Sequence, residues 1–259
     1  MRSEDIKGGS GMKRLYEKNE LTFAIVCIVV YCVLSSVANP LNKVIAVESF
    51  FNAVFNILLT IILFCFIQKN GLLEQYGFCK STVPARKFLW YIPLVILATH
   101  NLWNGIAVNF APAAMVCYIC NMLCVGFVEE VIFRGFLFRA MAKDNIKTAI
   151  AVSSITFGAG HLLNLVNGRG MGLVENLCQV TGAIAIGFLF VIIFYRGGSL
   201  IPCILTHSAI DVASAFANDM GHEAGRRILF SVSRLVIVVV YTVILLRVLP
   251  EKQEAKLLH

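Results

Sequence analysis

Eight apolar runs of about 20 residues dominate this chain, and they constrain its fold more than any other feature. They cover residues 21–38, 50–67, 88–108, 111–138, 148–165, 174–195, 199–217 and 228–249. A run of that length matches the ~30 Å hydrocarbon core of a bilayer when it is helical. The short alternating segments of a membrane barrel are absent, so helices are expected throughout. The third, fifth and seventh runs carry polar residues. Of 259 residues, 58% are hydrophobic and 14% charged, against about 25% charged in a soluble domain. The expected fold is therefore all-α: a polytopic membrane helix bundle of about eight transmembrane helices.

The basic residues set the expected orientation. With the N-terminus inside, sixteen of the 22 Lys and Arg residues fall on the inner side. Four (Lys43, Arg169, Arg226 and Arg227) fall outside, and Arg134 and Arg234 lie within spans. This bias predicts that both termini are cytoplasmic. It also accounts for the net charge of +7 without a nucleic-acid partner, and no base-reading module is visible. The first run follows a polar lead-in of about 20 residues and exceeds the length of a signal-peptide core, so it reads as an uncleaved anchor. The nine cysteines, including the pair in Cys117-Tyr-Ile-Cys120, lie mostly in spans and read as small packing residues. No internal repeat or soluble domain is evident. The expected organisation is a cytoplasmic segment at 1–20, N-terminal helices at 21–108, a core at 109–217, and a last helix with tail at 218–259.

Against this background the stretch "CVGFVEEVIFRGFLFR", Cys124 to Arg139, is anomalous. An ionisable residue in a span costs roughly 2.5–3.5 kcal/mol on insertion scales, so each needs a partner or a purpose. Glu130 and Arg134 are four apart and can pair along one helix face. Glu129 then points about 100° away, toward something else. Two later runs supply candidates. "ITFGAGH" sets Phe157 and His161 four apart, and "LTHSAID" does the same for His207 and Asp211. Counted from the nearest inner-side charge at 1.5 Å per residue, Glu129, His207 and His161 lie ~15, ~17 and ~21 Å deep. Three polar groups at similar depth on three helices suggest one buried site. Gly158 and Gly160 would allow close approach beside His161. His100, with Asn101 and Asn104, is expected to line the same cavity.

The order Glu129-Glu130-x-x-x-Arg134, Phe157-x-x-x-His161, His207-x-x-x-Asp211 resembles the three motifs of CAAX prenyl endopeptidase-type proteins, the CPBP or Abi group of intramembrane proteases. The resemblance covers roughly residues 110–215. It implies hydrolysis of a peptide bond within the membrane, with Glu129 as general base, His161 holding the water, and His207 and Asp211 facing the oxyanion. Glu130, Arg134 and Phe157 would support them. The family pattern often ends on Asn. An ionised Asp211 cannot donate a hydrogen bond, so it is read as an acceptor that orients His207. No cofactor is favoured, although Glu129, His161 and His207 also read as zinc or manganese ligands. The implied partners are membrane lipid and a peptide or membrane-protein substrate, with the oligomeric state left unassigned. The implied location is a bacterial cell membrane. Two rival functions are a membrane scaffold or immunity protein that needs no catalysis, and a proton-coupled carrier built on the same charges. The absence of inverted repeats speaks against the carrier.

Overall fold

The computed structural model describes residues 11–163, 172–218 and 224–251. Arg2, Lys7, Arg169, Lys252 and Lys256 from the charge count, the first half of the 1–20 segment and the last two residues of the fifth run lie outside the described residues. The described chain is helical. A short α1 (Gly11–Lys18) precedes α2 (Glu20–Ile45) and α3 (Phe50–Lys69). After α4 (Ile92–Thr99) come α5 (Pro112–Glu130), a π-helical turn (Val131–Leu137) and α6 (Phe138–Ala142), which run on as one rod. The order then continues α7 (Ile146–Gly160), α8 (Leu173–Gly197), α9 (Ile201–Ser214) and α10 (Ala224–Val248).

Five of these helices are long and apolar enough to cross a membrane: α2, α3, the Pro112–Ala142 rod, α8, and Ile228–Val248 within α10. Helices α7 and α9 are apolar but shorter, at 15 and 14 residues. The third apolar run, expected to span, is broken. Leu89, Trp90 and Tyr91 all take left-handed backbone angles. Side chains disfavour that region, and three in succession end any continuous helix. Only eight residues of α4 follow before a 3-10 turn at His100–Leu102. The break is tied down from outside: Tyr241 of α10 donates its hydroxyl to the Phe88 carbonyl at 2.8 Å. An apolar count per residue cannot register such a kink, so eight runs yield five long helices, two shorter ones and one broken segment.

The packing explains which faces are oily on the outside. Ile25, Val29 and Val33 of α2, Leu58 and Ile61 of α3, and Val236, Val239 and Val240 of α10 are exposed. Such surfaces suit lipid and would be costly in water. The chain is a multi-pass integral membrane protein. Its centre is the Pro112–Ala142 rod, with α3 and α9 packed on α5. Every residue from Val131 to Phe138 is buried. Glycine permits the closest of these contacts. A Cβ on Gly126 would come within 2.6 Å of the Ser208 backbone nitrogen on α9, and one on Gly158 within 2.8 Å of the Ile184 nitrogen on α8. Both distances are shorter than a real Cβ tolerates, so these glycines set the spacing of the helices that carry the polar residues.

Candidate functional site

Glu130 and Arg134 form the predicted pair. Their side chains approach to 3.0 Å and neither has any exposed surface. The pair sits where the rod changes from α-helical to π-helical winding, a local irregularity that often accompanies functional sites. The Arg134 guanidinium lies 3.9 Å from the centroid of the Phe157 ring, which gives the cation a second partner. Phe157 itself stands edge-on to Phe133, His161 and His207. Three residues identified along the sequence, Arg134, His161 and His207, thus meet around the phenyl ring of a fourth.

Glu130 does more than neutralise Arg134. Its Oε1 also lies 2.8 Å from Nδ1 of His207. An ionised carboxylate only accepts, so Nδ1–H is the donor. That contact fixes the imidazole and turns Nε2 toward Asp211 Oδ2 at 3.4 Å and Glu129 Oε2 at 3.6 Å. Asp211 was expected to orient His207. The structure gives the shorter contact to Glu130, with Asp211 on the opposite nitrogen.

Glu129 differs from its neighbour. Its side chain retains 12% exposure and faces a cavity of about 1160 Å³ lined also by Phe157, His161, His207 and Asp211. All four proposed catalytic residues therefore border one space. His100, Asn101 and Asn104 line it as well. His100 is buried and bonds Ser233 of α10 at 3.0 Å, and Asn101 donates to the Ile210 carbonyl, so both also brace neighbouring helices. Gly160 lies on the cavity wall, and a Cβ there would touch nothing within 4 Å. The two glycines beside His161 therefore differ: Gly158 serves helix packing and Gly160 leaves space.

Two residues of the site carried no motif. Tyr31 of α2 donates its hydroxyl to Glu129 Oε1 at 2.5 Å. Arg234 of α10 borders the cavity within electrostatic reach of Asp211, and its guanidinium lies 3.3 Å from where a Cβ on Gly182 would be. The intramembrane charge of Arg234 was the available signal for it. A tyrosine in an apolar run gives none.

Among the described residues, no three His, Cys, Asp or Glu side chains are grouped to hold a metal ion. Both ring nitrogens of His207 face carboxylates. All nine cysteines are free thiols.

Comparison with known proteins agrees with the family resemblance. Residues 111–213 match the family model described as Rce1-like, type II CAAX prenyl endopeptidase Rce1-like. No curated protein and no solved structure matches the chain.

Proposed function

From the match of residues 111–213 to the Rce1-like, type II CAAX prenyl endopeptidase model, we propose that this protein is an intramembrane endopeptidase whose general base is Glu129. The substrate is a peptide or membrane protein held in the cavity, and the setting is a bacterial cell membrane with both termini cytoplasmic. The observation that carries the reading is the division of labour between adjacent carboxylates. Glu130 is consumed by Arg134 and His207. Glu129 has no arginine or lysine ion pair among the described residues and faces the cavity with 12% of its side chain exposed, where Glu130 has none.

In this mechanism Oε2 of Glu129 takes a proton from a water that His161 helps to hold. The water oxygen attacks the scissile carbonyl carbon. The developing oxyanion accepts from Nε2–H of His207, whose other nitrogen Glu130 keeps in place. Asp211 accepts from the same Nε2–H before substrate arrives. The proton held by Glu129 then passes to the leaving amine as the C–N bond breaks. Arg134 and Phe157 hold Glu130 in place without touching the substrate.

The test is cleavage of a library of quenched fluorogenic peptides by purified protein in lipid nanodiscs. Each sequence is supplied with and without a farnesylated cysteine, and products are identified by mass spectrometry. The account expects one bond of a selected peptide to be cut, with turnover preserved in strong chelator. Loss of turnover on chelation, restored by zinc or manganese, would replace the base mechanism with a metal-dependent one. No cleavage of any member would favour the scaffold reading.

A further inference from the structure

Glu129 lacks the constraints that hold its neighbour. A glutamate side chain turns about three bonds, and a general base displaced by an ångström loses much of its effect. Arg134 pairs with Glu130, not Glu129. His207 approaches Glu129 only to 3.6 Å, beyond a good hydrogen bond. Among the described residues the single hydrogen bond to Glu129 comes from Tyr31, at 2.5 Å to Oε1. Tyr31 belongs to α2, 98 positions earlier in the chain and outside the matched segment 111–213. Helix α2 packs directly on the π-helical turn that follows Glu130, which brings its polar face, with Tyr31, Cys32 and Ser35, to the cavity.

We propose that Tyr31 is the positioning residue for the base: its hydroxyl holds Oε1 of Glu129 so that Oε2 is the oxygen presented to the attacking water. This rests on the proteolytic reading above. A phenol has one proton to donate, so it engages one carboxylate oxygen and leaves the lone pairs of the other free. The donor–acceptor bond to a charged oxygen is of the strong kind and fixes direction as well as distance. Oε2 agrees with this division, being the oxygen turned to His207 and without a donor of its own. Tyr31 reaches no reacting atom in this scheme. It acts through Glu129, and the site is completed by a helix that the family-matched segment does not contain.

Tyr31→Phe removes the hydroxyl and keeps the ring. With the best-cleaved fluorogenic peptide of the library as probe, kcat should fall about 10- to 100-fold, the range expected for losing one hydrogen bond to a charged group. KM should stay within about twofold and the melting temperature should hold, because substrate contacts and packing are untouched. In a Glu129→Gln background the same change should add no further loss, since the two residues act as a unit. Unchanged kcat in Tyr31→Phe while Glu129→Gln is inactive overturns the Tyr31 assignment alone. A fall in melting temperature with a rise in KM at constant kcat overturns it too, in favour of a packing role. Wild-type turnover by Glu129→Gln overturns the base itself, and the positioning role with it.

Discussion

On the one hand stands a sealed knot of Glu130, Arg134 and one nitrogen of His207, with no exposed surface on either charged side chain and with Phe157 bordering both Arg134 and the cavity. On the other lies the cavity, faced by Glu129, His161, Asp211 and the second nitrogen of His207. The two regions share a histidine and are separated by one residue of sequence. The sealed region contains charges because they neutralise each other. The cavity region contains carboxylates with no arginine or lysine ion pair among the described residues, which is expensive in lipid unless chemistry requires it. The contrast teaches that, within a membrane, an arginine countercharge and access to a cavity separate structural carboxylates from working ones better than hydrogen-bond satisfaction does, since Glu130 Oε2 and the Arg134 nitrogens lack hydrogen-bond partners as Glu129 Oε2 does.

The contrast can be broken most forcefully at Glu130. Glu130→Gln strands Arg134, which has no exposed side-chain surface, and breaking a buried pair costs about 3–5 kcal/mol. A lower melting temperature and poor yield are expected, and turnover should suffer as His207 loses its anchor. Adding Arg134→Met removes the orphaned cation. Thermal melts of the single and double variants should show most of the stability returning in the double. A smaller effect is expected from the helix spacing. Gly126→Ala pushes a Cβ into the Ser208 backbone of α9, an overpacking worth about 1–3 kcal/mol, and should drag His207 off Glu130. Gly160→Ala on the cavity wall meets open space and should change stability by less than about 0.5 kcal/mol. Equal melting temperatures for the two glycine variants would remove the distinction between the packed and open sides.

Much of the site was legible because helix periodicity is rigid. Spacings of four put Glu130 on Arg134 and His207 near Asp211, and depth counted from flanking charges brought Glu129, His161 and His207 to one level. What the spacings could not carry was contact between distant runs. Tyr31 sits in α2 among valines and isoleucines, and only the packing of α2 against the π-helical turn makes its hydroxyl meaningful. The bond from Glu130 to His207 is of the same kind, 77 positions apart. A reading of Glu130 as a partner for Arg134 alone therefore captured half its role. The fold was legible in class and in most helices, and least so at 88–108. There a left-handed stretch at Leu89, Trp90 and Tyr91 breaks a segment whose apolar length reads as a span despite its polar residues.

The central claim is that the two glutamates do different work, and Glu129→Gln against wild type tests it most directly. The measurement is turnover of the selected fluorogenic peptide together with a thermal melt of the same preparations. Gln keeps the size of the side chain, can still bond the Tyr31 hydroxyl, and is cheaper to bury than a carboxylate. The account predicts a melting temperature at or above wild type and a loss of turnover of at least ~10²-fold, the lower end of general-base catalysis. A Glu129→Gln protein that folds and cleaves like wild type would contradict it.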